Sequence, residues 1–183
     1  NTLGNPVEFK KIKEICDTNK LLLIEDNCES LGAKYGKRYT GNFGVAGSHS
    51  FFFSHHIQTI EGGMITTNDR DICEYTRSLR SHGWTRDSLE KNSFSKSPIV
   101  KFKNSFKFIL PGYNLRPNEL NGVLGLTQLQ KFPNLLKARK GNARIFKKLF
   151  DNQTYCSIQK CDHDSSWYGF SILLEGVLQN KRD

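Results

Sequence analysis

Apolar residues fall at helical spacing near the start of the chain: Val7, Phe9, Ile12 and Ile15 stand among lysines, which predicts an amphipathic helix over 7–16. The next run, Leu21-Leu22-Leu23-Ile24, is apolar without a break and ends in Glu25-Asp26. Such a run suits a strand buried on both faces, so it predicts a parallel strand that delivers a carboxylate at its C-terminal edge. Gly44 to Phe53 predicts a second buried strand, Glu61-Gly62-Gly63 a turn, and Met64 to Thr67 a third strand. Asn68 or Asp69 can cap a helix running to about Ser81, with Ile72, Tyr75, Thr76 and Leu79 on one face and Gly83 as its stop.

Residues 84–112 are polar, rich in Lys and Ser, and weakly patterned, which predicts a long loop or flap. Pro117 suits the first turn of a helix whose inner face is Leu120, Val123, Leu124 and Thr127. Pro133 lacks an amide hydrogen and predicts a break there. A second helix over 134–150 carries Leu135, Leu136, Ala143, Phe146 and Leu149. Tyr155 to Ile158 and Gly169 to Leu174 read as strands of another unit. Strands alternating with helices predict an α/β layered sheet, and such sheets bind ligands beyond the carboxyl ends of their strands. No internal repeat or low-complexity segment interrupts this pattern.

Charge and cysteine content narrow the class. Lys and Arg outnumber Asp and Glu by 27 to 18, a formal net charge of +9. That balance favours phosphate-bearing partners. The clusters at Lys10–Lys13, Lys101–Lys107 and Lys137–Lys148 are read as solvated faces, and no nucleic-acid-binding signature accompanies them. Neither nucleic acid nor membrane is expected as a partner, since no apolar run is long enough to span a bilayer and no signal peptide is seen. Cys16, Cys28, Cys73, Cys156 and Cys161 form no C-x-x-C pair, which fits free thiols in the cytoplasm rather than disulfides or a metal site.

Three segments carry candidate chemistry. The first is Glu25-Asp26-Asn27-Cys28-Glu29-Ser30-Leu31-Gly32-Ala33, an acid at a strand edge. The second is Ser48-His49-Ser50-Phe51-Phe52-Phe53-Ser54-His55-His56-Ile57, closed by Glu61-Gly62-Gly63. The third is Gly112-Tyr113-Asn114-Leu115-Arg116-Pro117, a turn before a helix. Each has a plain reading alone: a turn cap, a satisfied core histidine pair, a loop. In this order and spacing, from about residue 7 to 174, they resemble the DegT/StrS family of sugar aminotransferases and dehydratases, which are fold-type-I pyridoxal-phosphate enzymes.

The resemblance implies an α/β/α sandwich made of part of a large cofactor-binding domain, residues 1–132, followed by a connecting helix and the start of a small domain, 133–183. It implies that Asp26 pairs with the cofactor's pyridinium nitrogen and keeps the ring electron-poor. It further implies that Glu29 lies near the ring hydroxyl, that Ser50 binds the phosphate, and that Asn114 reaches the cofactor of a neighbouring subunit in a homodimer. His82, Arg86 and Arg116 would line the substrate side, where arginine suits a diphosphate. His49 and His56 are read as structural.

The family's cofactor-binding lysine is missing. Five residues after Ser50 stands His55, and no lysine occurs between Lys37 and Lys91. An imidazole cannot make the lysine's covalent link, but it moves protons near neutral pH. This replacement resembles the 3-dehydratase branch of the family, as do Arg77-Ser78-Leu79-Arg80-Ser81-His82-Gly83-Trp84-Thr85-Arg86-Asp87 and Leu110-Pro111-Gly112-Tyr113-Asn114. That branch implies a pyridoxal/pyridoxamine phosphate lyase with glutamate as amino donor. It would remove the C3 hydroxyl of a 4-keto-6-deoxyhexose nucleotide sugar, of the GDP-4-keto-6-deoxymannose kind, with His55 as catalytic base. The loop over 83–112 has no cysteine, so no iron–sulfur cluster is expected. The alternatives are a nucleotide-sugar 4-aminotransferase homologue and a non-catalytic family member. The resemblance also implies that the phosphate-cradling loop and the ring-stacking aromatic lie outside this chain, and that the chain alone binds cofactor poorly.

Overall fold

The computed structural model describes residues 1–86, 102, 106–179 and 181. It divides into two compact units: Asn1–Thr66 with Glu119–Asp183, and Thr67–Asn118. In the first unit, α1 (Phe9–Thr18) precedes β1 (Ile24–Asp26), a short hairpin β2 (Lys34–Tyr35) and β3 (Arg38–Tyr39), then β4 (Ala46–Ser50) and β5 (Gly63–Thr66). After the second unit, which contains α2 (Arg70–Leu79), the chain returns as α3 (Glu119–Phe150), β6 (Cys156–Ile158) and β7 (Ile172–Leu174).

The expected parallel strand forms but is not buried on both faces, since Leu21, Leu22 and Ile24 are exposed: β1 runs parallel to β4, with Asp26 opposite Ser48, and β5 closes the sheet antiparallel to β4. The register has a visible cause. Glu25 is 3% exposed and accepts backbone N–H bonds from Gly41 (2.5 Å), Phe43 and Gly44 (2.7 Å). One carboxylate thus satisfies three amides on the approach to β4. The rings of Phe9, Tyr35 and Phe43 form a cluster in the same unit, with Phe9 and Phe43 stacked 4.1 Å apart. The β2–β3 hairpin was not anticipated; its two-residue strands are too short to show alternation, and Gly36, at φ +60, supplies its turn.

Two helical expectations are corrected. Pro133 does not break the chain, since α3 runs 32 residues across it. The lost hydrogen bond is outweighed because the helix is anchored on both sides. Before it, Asn121 donates to the carbonyls of Thr59 and Glu61 (2.6 and 3.0 Å). On either side of it, Phe132 and Leu136 close on Gly32, whose missing Cβ leaves room that a methyl group 2.7 Å from Phe132 would fill. The inner face also differs: Leu120, Val123, Leu124 and Thr127 are exposed, as are Leu135 and Leu149. The face turned inward is Phe132, Leu136, Arg139, Ala143, Phe146 and Phe150, which keeps a 4-3-4-3-4 spacing.

In the second unit the Asp69 side chain caps α2 by accepting from the Ile72 amide (3.0 Å). The helix ends at Leu79, and Gly83, at φ +80, lies beyond it. A Cβ there would fall 1.7 Å from the Leu110 carbonyl oxygen, so glycine is required for the two segments to meet. Most of the expected 84–112 flap lies outside the described residues. Its described ends pair, Trp84 opposite Phe108 and Thr85 N–H to the Lys107 carbonyl. Among the described residues no helix is long and apolar enough to cross a membrane.

Replacing the Glu25 carboxylate with an amide turns an NH2 group toward backbone donors. Glu25→Gln is expected to lower unfolding free energy by about 1–3 kcal/mol, measured by urea denaturation.

Candidate active site

The C-terminal edge of the parallel pair brings Asp26 and Ser50 onto neighbouring strand ends. Asp26 is exposed, and its Oδ1 accepts the Cys28 backbone N–H (3.0 Å) and the Ser48 hydroxyl (3.5 Å). Both donors converge on one oxygen. The Cys28 amide first, then the Cys28 thiol, hold the carboxyl below its usual range, against a smaller opposing effect of burial. The group is therefore an anion at neutral pH. Its second oxygen suits a cationic N–H.

Past β4 the chain turns sharply. The Ser50 hydroxyl accepts the Phe52 amide (3.2 Å), and the His55 amide donates to the Phe52 carbonyl (3.0 Å). The base of the turn is closed by Thr59 N–H to the Phe51 carbonyl (2.8 Å) and Phe51 N–H to that of Gly62 (2.8 Å). His55 is half-buried, its ring centroid 6.3 Å from Phe52 and 5.3 Å from Tyr168. Its Nδ1 is buried and has no hydrogen-bond partner. Glu29 follows β1 by three residues, and its carboxylate accepts the Leu3 amide (2.6 Å), which commits one of its oxygens to the fold.

The neighbouring histidines are built in. His49 is buried, with its Nε2 3.3 Å from the Thr66 hydroxyl, and burial lowers its pKa. His56 is 4% exposed and its Nε2 lies 3.2 Å from the Ser166 carbonyl. Burial pushes its pKa down to about 4, with the charge of Arg139 acting in the same direction and the Ser166 carbonyl opposing.

Sequence reasoning passed over Ser48 and the segment Ser165-Ser166-Trp167-Tyr168. The signal available was a cluster of small and aromatic residues just before the strand read over 169–174, and it was left unassigned. In the structure that segment is fixed against the His55 turn. Ser165 and Ser166 are fully buried, and Arg139 donates to the carbonyls of Trp167 (3.1 Å) and Tyr168 (2.9 Å).

The four remaining candidates lie in the second unit. Ser81 and Asn114 form an isolated bridge, and the His82 amide donates to the Tyr113 carbonyl (2.8 Å). The Arg86 guanidinium sits 5.0 Å from the centre of the Trp84 ring. His82, Arg86, Asn114 and Arg116 are all exposed. Among the described residues no group of three or more His, Cys, Asp or Glu side chains could hold a metal ion, and the five cysteines are free thiols.

Residues 1–183 match the DegT/DnrJ/EryC1/StrS aminotransferase family. The chain belongs to this family. It is 44% identical to a GDP-4-keto-6-deoxy-D-mannose 3-dehydratase of Yersinia pseudotuberculosis over 96% of this chain and 45% of that protein. A solved Escherichia coli GDP-4-keto-6-deoxy-D-mannose-3-dehydratase with bound hydrated PLP superposes with a TM-score of 0.89 at 43% identity, covering 97% of this chain and 46% of that one. A structure of GDP-4-keto-6-deoxymannose-3-dehydratase with a trapped PLP-glutamate geminal diamine matches at TM-score 0.88 and 42% identity, over 96% of this chain and 46% of that one. The chain spans about half the length of the curated relatives it matches. The fold class expected from sequence, a partial fold-type-I α/β domain, is the one these neighbours share.

For this family member, the buried His56 has a pH consequence. In the unfolded chain it takes up a proton near pH 6.5, whereas in the fold it resists protonation down to about 4. Between those values the unfolded state binds more protons, so stability falls as pH falls through that window. The loss expected from His56 is up to about 3 kcal/mol. Denaturant midpoints between pH 7 and pH 4 should show it, and His56→Gln should flatten that part of the slope.

Proposed function

We propose that this chain is part of a pyridoxal/pyridoxamine-phosphate-dependent nucleotide-sugar 3-dehydratase. Its substrate would be a 4-keto-6-deoxyhexose of the GDP-4-keto-6-deoxymannose kind, its amino donor glutamate, and its place the supply of 3,6-dideoxy sugars such as colitose for lipopolysaccharide. The single observation that carries the reading is His55. It occupies the turn beyond Ser50 where an aminotransferase of the family needs lysine, and it stands in a chain 44% identical to a 3-dehydratase. Glutamate as donor is supported by the relative solved with a PLP-glutamate adduct.

The donor set fits the cofactor. An anionic carboxylate with one oxygen uncommitted and a hydroxyl at the adjacent strand end offer partners to a protonated ring nitrogen and to a phosphate. When bound, pyridoxal phosphate supplies an electron sink for charge that develops beside its ring. The chain's residues supply the rest. Asp26 holds the proton on the ring nitrogen, which its lowered pKa favours. Ser50 accepts the Phe52 N–H and keeps its own O–H to donate to a phosphate oxygen, and Glu29 would stand near the ring hydroxyl. His55 takes a proton at its Nε2 and returns it toward the departing C3 oxygen. In the second unit Asn114 serves a neighbouring subunit's cofactor in a homodimer, and His82, Arg86 and Arg116 face the sugar diphosphate. The domain division at 132/133 falls within α3, which acts as the connector of the two domains. Five free thiols and a nucleotide-sugar substrate support a cytoplasmic location.

The test is product identity. The full-length protein, given glutamate and GDP-4-keto-6-deoxymannose, should release ammonia and a sugar lighter by one oxygen, read by mass spectrometry; an amino sugar would instead identify a 4-aminotransferase. His55→Asn should reduce turnover by about 10²–10⁴-fold.

A further inference from the structure

The segment Ser165–Tyr168 is held more firmly than a connector before a strand requires. Trp167 has φ +51, a left-handed backbone that a bulky residue adopts only when its surroundings enforce it. Those surroundings are visible. The Ser165 hydroxyl accepts the Trp167 amide (3.0 Å), Arg139 bonds the carbonyls of Trp167 and Tyr168, and the Tyr168 amide donates to the Leu3 carbonyl (3.1 Å). Gly4 lets the chain pass so close that a Cβ there would lie 2.7 Å from the Trp167 nitrogen.

Three contacts carry this rigidity to one turn. His56 Nε2 meets the Ser166 carbonyl, Ser54 Oγ lies 3.3 Å from Tyr168 Oη, and the Tyr168 ring lies 5.3 Å from the His55 ring at 35°. Backbone strain of this kind gathers where a fold must place a side chain closely. Among the described residues no hydrogen bond orients the His55 side chain, and its Nδ1 is closed off from solvent without a partner there. Nε2 is then the nitrogen left to exchange a proton.

We propose that Tyr168 is a positioning residue for His55: its ring forms the wall that holds the imidazole in one orientation, with Nε2 turned to the reacting proton. This rests on the dehydratase reading for its catalytic consequence, but not for the contact itself.

Two variants separate ring from hydroxyl. Tyr168→Phe keeps the wall; Tyr168→Leu fills the space without an aromatic face, and Tyr168→Met replaces it if the Leu protein does not fold. In the full-length enzyme, Leu is expected to lower kcat by about 10–100-fold with KM within about threefold, and Phe to stay within about threefold of the parent in both. In the cofactor-free protein, the His55 imidazole resonances, assigned by their loss in His55→Asn, should stay single and sharp with Phe and split or broaden with Leu. A Leu variant with one sharp His55 signal and undiminished kcat would overturn the proposal, and so would a Phe variant as slow as Leu. If the parent enzyme makes no deoxygenated ketone, the dehydratase reading fails alone, because the resonance measurement still decides whether Tyr168 orders His55.

Discussion

The candidate site depends on one buried carboxylate. Glu25 accepts three backbone amides from the stretch that leads into β4. Those amides, one buried and two part-buried, would otherwise lose their partner, at a cost of up to about 1–3 kcal/mol each. Meeting them with a single side chain on β1 fixes how far along β4 must lie. That register sets Asp26 opposite Ser48 and carries Ser50 just beyond it. Glu25 itself touches nothing reactive; it decides where its neighbour points. Two adjacent acids thus divide the labour, one facing inward as scaffold and one outward as a charge.

A second layer of control comes from far along the chain. The Ser165–Tyr168 segment and Arg139 lie more than eighty residues from the His55 turn in sequence, yet their hydrogen bonds and rings close on it. Such contacts cost loop-closure entropy and are retained only where they stabilise something of value. Burial leaves His56 neutral while His55, one residue away, remains half-exposed. The two histidines differ in environment rather than chemistry, and it is the Ser166 carbonyl that takes one of them out of play.

Much of this was legible in the sequence. The run Leu21–Asp26 predicted a parallel strand ending in acid, and one forms over Ile24–Asp26, although Leu21, Leu22 and Ile24 are exposed; the strand read over Gly44–Phe53 forms only as far as Ser50. The sequence offered Asn68 or Asp69 as the α2 cap, and Asp69 takes it. What escaped were features with no local signature. The β2–β3 hairpin is too short for a period to show. Pro133 reads as a helix stop unless one knows that Phe132 and Leu136 are already seated on Gly32. The apolar face of Leu120, Val123 and Leu124 looked like core because spacing reports amphipathicity and not what lies opposite; in this chain those side chains are open. Tyr168 was hidden because its importance comes from a tertiary neighbour.

The continuity of α3 has a geometric meaning of its own. At 1.5 Å per residue its 32 residues extend about 48 Å. Its early turns grip the Thr59 and Glu61 carbonyls, and a later turn grips those of Trp167 and Tyr168. Both grips must fall on compatible sides of one cylinder, so the helix keeps angular phase between them. Adding a single residue between Asn121 and Arg139 would swing the guanidinium by about 100° around the axis, away from the carbonyls it holds. Length here acts as a dial, and even a whole-turn change, which restores the phase, would carry the guanidinium about 5.4 Å along the axis.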